Sequence, residues 1–118
     1  MTAFSRNITP FITAELLAAS QAEASGSPQK AFSHLERAHV MGQAATVHHV
    51  RIHWQMLLWG LRQKSYREIF GQILRIVGAA TKTCIGFIPS GNTGGANISA
   101  IKTLPIPSDL QIIIQKSQ

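Results

Sequence analysis

All five histidines of the chain fall within one stretch of twenty residues. They are His34, His39, His48, His49 and His53. Histidine is the commonest metal ligand in proteins, and its side chain titrates near neutral pH. A cluster this dense is therefore the best candidate for chemistry in the sequence.

Helical spacing selects part of this cluster. His49 and His53 stand at i and i+4, so a helix would place them on one face, one turn apart. Glu36 and His39 stand at i and i+3 and would also share a face. A short turn near Gly42 would join the two helices as antiparallel neighbours. We therefore predict a metal site formed by Glu36, His39, His49 and His53 beside that turn.

Nitrogen and oxygen ligands of this kind suit one divalent transition metal: zinc, nickel, copper or iron. Four protein ligands would make a closed structural site, and three would leave an open position. His34 and His48 point to other sides of their helices and are left out. The alternative is that the histidines are structural and that Glu36 pairs with Arg37 or Lys30. A heme is a weaker alternative, because the chain has no heme-attachment motif.

The elements that would position this site are helices. Apolar periodicity predicts an all-α fold with helices at about residues 9–25, 28–41, 46–63 and 65–84. Thr9-Pro10 is a typical helix start, with a hydroxyl cap followed by proline. Ile69, Ile73 and Val77 predict that the fourth helix is amphipathic and buried. Beyond residue 89, glycine and proline punctuate a tail to residue 118 that we predict to be irregular.

The helices show a weak internal repeat. GSPQKAFSHLERA aligns with KSYREIFGQILRI at an offset of 38 residues, whereas tetratricopeptide (TPR) repeats have a period of about 34. The first helical hairpin is thus weakly TPR-like. We predict two antiparallel hairpins in one domain over residues 1–118. The tail would pack on this bundle, with Leu104 and Ile106 filling a groove.

Composition limits the other function classes. One cysteine, Cys84, excludes an internal disulfide and a cysteine-only metal site. The net charge of +6 comes from scattered basic residues, so electrostatic nucleic-acid binding is only a weak alternative. Arg75 and Lys82 interrupt the most apolar stretch, which excludes a membrane span. With no secretory signal in view, we expect a cytoplasmic protein.

The residues favour a non-enzymatic protein, although a metal-dependent reaction stays open. The chain has five acidic residues and no nucleophile-elbow motif. The glycine-rich segment Ser90–Asn97 lacks the lysine of a phosphate-binding loop, so we predict tight turns there. Besides metal binding, the remaining hypothesis is a TPR-like module that binds a protein partner or forms a homo-oligomer.

Several segments together resemble a known family. They are AFSHLERAHVMGQ, HVRIHWQML, IVGAATKT, PSGNTGGAN and LPIPSDL, which run from about residue 28 to 110. As a set they resemble an uncharacterised family of small bacterial proteins, a domain of unknown function. The resemblance implies a bacterial, cytosolic, helical protein. It transfers no catalytic residues to this chain.

Overall fold

A computed structural model of the protein describes residues 2–85, 92–96 and 103–118, and for residues 79–85 it describes the backbone alone. It contains five helices: α1 (Ala3–Ala24), α2 (Pro28–Gly42), α3 (Thr46–Arg62), α4 (Tyr66–Ile85) and α5 (Ser108–Ser117). The described residues include no strand, so the predicted all-α class is confirmed. The Cys84 side chain and residues Ser90, Gly91 and Asn97 lie outside the described part.

The first helix begins six residues earlier than its sequence predicts. Thr2 caps it, because the Thr2 hydroxyl accepts a hydrogen bond from the Ser5 amide at 3.1 Å. Pro10 therefore lies inside the helix, and the Thr9 hydroxyl donates to the Ser5 carbonyl at 2.7 Å instead of capping. The predicted start at Thr9-Pro10 is wrong. Burial of Ile8 in the core favours extending the helix past the proline, at a local cost of about 3 kcal/mol.

The predicted bounds of α2, α3 and α4 agree with the structure to within one residue. The irregular tail does not, because residues 108–117 form α5. Leu110 of this helix is fully buried, and Arg37 of α2 donates to the Asp109 carboxylate. The prediction of an irregular tail was wrong because these tertiary contacts stabilise a helix of only ten residues, which is too short to be stable alone.

Consecutive helices pack against each other, α1 on α2, α2 on α3 and α3 on α4, while α5 lies against α1 and α2. The core draws its buried apolar side chains from α1, α2, α3 and α5. Ile106 packs against this core as predicted, and Leu104 lines a neighbouring groove. The TPR-like pairing of the hairpins stays a prediction. No helix in the described part of the chain has both the length and the apolarity to cross a membrane.

The orientation of α4 differs from what its apolar pattern suggests. Trp54 of α3 and Ile73 and Val77 of α4 are exposed. The side chains that α4 buries in its described part are polar, Glu68 and Gln72. The prediction that the apolar stripe of α4 is buried was therefore wrong. Polar side chains occupy the inner side of α4 instead.

Candidate metal centre

The imidazole rings of three histidines converge at the α2–α3 junction. The Nε2 atoms of His39 and His49 are 2.9 Å apart. The Nε2 atom of His53 lies 3.1 Å from each of them. The three atoms thus form a nearly equilateral triangle, and each histidine offers one ligand atom toward a common centre.

The local sequence explains this convergence. His39 lies in the last turn of α2, and His49 and His53 lie on one face of α3. The turn between Gly42 and Thr46 is short enough to hold the two helix ends side by side. All three side chains are at most 3% exposed. The ring centroids lie 4.6 to 4.8 Å apart, and the rings are inclined to each other instead of stacked.

Oxygen acceptors fix the protonation of two of the rings. The Nδ1 atom of His39 lies 2.6 Å from the backbone carbonyl oxygen of Asn92, and that of His53 lies 2.6 Å from the side-chain oxygen of Gln72. A carbonyl oxygen only accepts hydrogen bonds, so each Nδ1 must carry the proton and donate. In the neutral rings, the Nε2 atoms of His39 and His53 therefore hold lone pairs.

The orientation of the Gln72 amide is itself determined by its neighbours. Its nitrogen donates to the Glu68 carboxylate and to the Gly94 carbonyl, each at 2.9 Å. Because both partners are acceptors, the amide nitrogen must face them and the amide oxygen must face His53. Gln72 is completely buried. The tautomer of His53 is thus set by a chain of hydrogen bonds that begins at Glu68.

Residues 92–96 close this side of the centre. Asn92 accepts from the Gly94 amide through its own side chain at 2.9 Å, and the Ala96 amide donates to Glu68 at 2.9 Å. Gly94 has a φ of +86°, and a Cβ atom there would lie 2.5 Å from Cδ2 of His39. Position 94 therefore requires glycine for two reasons, its backbone conformation and its close approach to the ring. Residues 92–96, the described part of the predicted glycine-rich turn, thus pack directly against His39, one of the three histidines.

The triangle is slightly smaller than that of three histidines bound to one metal ion. Zinc binds histidine nitrogen at about 2.0–2.1 Å, which sets tetrahedral ligand atoms about 3.3 Å apart. The observed separations are a few tenths of an ångström shorter. A small outward movement of the rings would therefore admit an ion. Ligating histidines commonly donate their second ring nitrogen to a carbonyl or carboxylate, as His39 and His53 do here.

Comparison with known proteins places the chain in a family. A family model described as "Protein of unknown function (DUF3703)" matches residues 6–114. The chain belongs to this family. No curated protein and no solved structure matches it. Membership in DUF3703 agrees with the resemblance to an uncharacterised family and brings no function with it, so any role must be argued from the site.

The structure of this DUF3703 member brings together three of the four residues selected by spacing. Glu36 does not belong to the group of converging side chains, which consists of His39, His49 and His53. Its half-buried side chain lines a groove of about 260 Å³ together with Thr93. Burial raises the pKa of Glu36, and the charge of Glu68 raises it further, whereas a hydrogen bond with Thr93 opposes the shift.

The two histidines left out by the spacing argument have other partners. His34 lies 2.7 Å from the Glu15 carboxylate, which also accepts from Arg37. The Nε2 atom of His48 lies 3.1 Å from the Ser5 carbonyl and 3.0 Å from the Thr9 hydroxyl. His48 thus ties α3 to α1. Neither residue belongs to the triad.

Sequence reasoning missed the residues that orient the rings: Glu68, Gln72, Asn92 and Gly94. One signal was present, because Glu68 and Gln72 form a polar i, i+4 pair that would share one face of α4. No comparable signal marks Asn92, since its contribution to His39 is a backbone carbonyl that any residue carries.

Proposed function

We propose that this protein binds one divalent transition-metal ion through the Nε2 atoms of His39, His49 and His53. The observation that carries the proposal is the 3.1 Å separation between the Nε2 atoms of His39 and His53. Both rings have their Nδ1 proton committed to an oxygen, so two buried lone pairs face each other. Such an arrangement is unfavourable unless a cation or a proton lies between them.

A neutral triad does not remove this conflict. In neutral rings, His39 and His53 cannot carry a proton on Nε2 without losing the bonds to Asn92 or Gln72, so the triad has at most one Nε2–H, on His49. One N–H can point to one of its two neighbours, which leaves the lone pairs of His39 and His53 opposed. A metal ion accepts all three lone pairs at once. Burial at 3% exposure or less would strengthen that interaction by excluding water.

Three neutral imidazoles suit zinc, copper, nickel or ferrous iron. This donor set leaves a fourth coordination position, which either Glu36 or an exogenous ligand such as water would fill. With a fourth protein ligand the centre would be structural, and without one it would be able to sense, carry or act through the ion. The carboxylates of Glu36 and Glu68 also favour a cation on this side of α2 and α4.

The test is elemental analysis of protein purified without a polyhistidine tag, followed by titration with each metal. We expect one metal per chain and a higher melting temperature in the presence of the preferred ion. The variants His49→Ala and His53→Ala should lose both effects. The variant His34→Ala is the matched control, since His34 lies outside the triad and pairs with Glu15. Metal-free protein whose melting temperature ignores all four ions would refute the proposal.

A second candidate, an interaction module built on TPR-like hairpins, is favoured by a different observation. Eight large apolar side chains of α3 and α4 are exposed, from Val47 to Val77. Exposed apolar surface of this extent is typical of a contact with another macromolecule. The histidines would then stabilise the fold on the inner side of the same helices. Protein that retains no metal but forms a defined complex would favour this candidate.

A further inference from the structure

The outward face of α4 carries a continuous apolar stripe. It consists of Tyr66, Phe70, Ile73, Leu74 and Val77, whose exposed fractions range from 46% to 73%. Positions 66, 70, 73 and 77 are separated by four, three and four residues, which keeps them on one side of a helix. Large side chains thus face water along about three turns of this helix.

The stripe is a consequence of what α4 does on its other side. Its inner face holds Glu68 and Gln72, which orient His53 and the 92–96 segment. Because the inner face is polar, the apolar residues of the helix have no core to enter. Apolar surface of this kind costs free energy in water and marks contact surfaces in proteins.

We propose that the α4 stripe is the interface of a two-fold symmetric dimer in which α4 packs antiparallel to α4 of a second copy. The four–three–four spacing reads the same in both directions. A two-fold axis near position 71 or 72 therefore sets Phe70 opposite Ile73 of the second copy, and Tyr66 opposite Val77. This self-complementarity is what an isologous interface requires.

Charge also favours the antiparallel arrangement. Arg67 is an exposed charged residue beside the stripe, where its guanidinium donates to the Ala96 carbonyl, and Glu68 is buried. In an antiparallel pair the two Arg67 side chains lie about 13 Å apart along the helix axis, beyond the screening length of about 8–10 Å at physiological salt. A parallel pair would hold them at the same level, where like charges repel.

The stripe offers about the smallest area that a specific interface needs. Five large side chains at about 100 Å² each would bury about 1,000 Å² over both copies, close to the lower limit of specific interfaces. Trp54 and Leu61 of α3 are about half exposed and are seven residues apart, so they form a second apolar line on the same hairpin.

The oligomeric state of the full chain tests this proposal. We expect sedimentation or native mass spectrometry to give twice the 12.8 kDa chain mass. Phe70→Glu should weaken the dimer about 30-fold or more, because it buries a charge in the middle of the interface. Leu74→Glu is the second variant. Ile112→Glu, at an equally exposed apolar position on α5, is the control and should leave the dimer intact.

Cross-linking tests the orientation in a Cys84→Ser background. A mixture of Tyr66→Cys and Val77→Cys chains should form a disulfide between copies, and Tyr66→Cys alone should not. A monomer at all concentrations, or a dimer that Phe70→Glu leaves unchanged, would overturn the proposal. Monomeric protein that sediments with anionic lipid vesicles would overturn it too and assign the stripe to a membrane surface. The result is independent of metal binding, because His53→Ala leaves the stripe intact.

Discussion

The ring of His53 donates through Nδ1 to the Gln72 amide oxygen while its Nε2 lies 3.1 Å from the Nε2 of His39. The two sides of one imidazole are thus in opposite electrostatic situations. Gln72 satisfies the proton on one side, and the other side directs a lone pair at a second lone pair. This relationship between His53 and Gln72 is what makes the centre a candidate cation site.

Removal of a ligand should abolish tight binding. Substitution of a residue that only orients a ligand lowers metal affinity by up to about 100-fold. His39→Ala removes a ligand itself and should lower the affinity by more than that. The protein should also lose the metal-dependent rise in melting temperature. Competition with a chromophoric chelator would measure the affinity. His34→Ala, which lacks this role, should bind as the unaltered chain does.

Gln72→Leu tests the orientation of His53. The variant keeps the three ligands but removes the acceptor for the His53 Nδ1 proton. We expect metal affinity to fall about 10- to 100-fold with the stoichiometry unchanged. The same chelator competition checks this, with the exposed Gln29→Leu as the control. Equal affinities of the two variants would show that Gln72 does not orient a ligand.

Two glycines allow a matched comparison. Gly94 and Gly26 both have positive φ, +86° and +83°, but only a Cβ at position 94 would meet His39. Gly26→Ala should cost about 1 kcal/mol of unfolding free energy from backbone strain alone. Gly94→Ala should cost about 3 kcal/mol, since overpacking adds to that strain. Denaturant unfolding of the metal-free chains measures both, and similar losses would contradict the contact with His39.

Glu36→Gln should stabilise the metal-free protein at neutral pH. Burial raises the pKa of Glu36 above its ordinary value of 4.5 in the folded state. The folded protein therefore binds this proton more tightly than the unfolded chain does. The resulting stability is fully present below pH 4.5 and is lost as pH rises through the raised pKa. Unfolding curves measured across this pH range should show that the free energies of unfolding of Glu36→Gln and of the unaltered chain become more similar toward acid pH.

The same variant decides the fourth ligand. If the three histidines suffice, Glu36→Gln will retain one metal per chain at similar affinity, which is the result we expect from its position beside Thr93. A loss of affinity beyond tenfold would instead make Glu36 a ligand, as its spacing from His39 predicts. Elemental analysis together with chelator competition separates these results.

The part of the site that sequence could predict depends on local geometry. His49 and His53 are one helical turn apart, and His39 is separated from them by one short turn, so periodicity was enough to select the three. The acceptors are different, because Gln72 is 19 residues from His53 and Asn92 is 53 residues from His39. Such contacts depend on how helices and segments pack, which helical spacing does not contain.

In the fold, too, the features set by local sequence could be predicted, and those set by long-range packing could not. Bounds of α2, α3 and α4 follow from apolar periodicity and breakers, whereas the start of α1 depends on burial of Ile8, and α5 depends on burial of Leu110. Periodicity also cannot tell which side of an amphipathic helix faces inward. For α4 the inner side is polar in its described part, because Glu68 and Gln72 make hydrogen bonds there with each other and with His53.

The order of these residues along the chain has a consequence for synthesis. The three histidines of the proposed site occupy positions 39 to 53, and the acceptors that orient two of them follow at positions 72 and 92. On the ribosome, the ligands emerge before either acceptor does. An ion captured at that stage would meet imidazoles whose tautomers are not yet fixed, and the later arrival of Gln72 and Asn92 would fix them. An ion would thus bind to the histidines early in translation, and the residues that hold the rings in place around it would follow later.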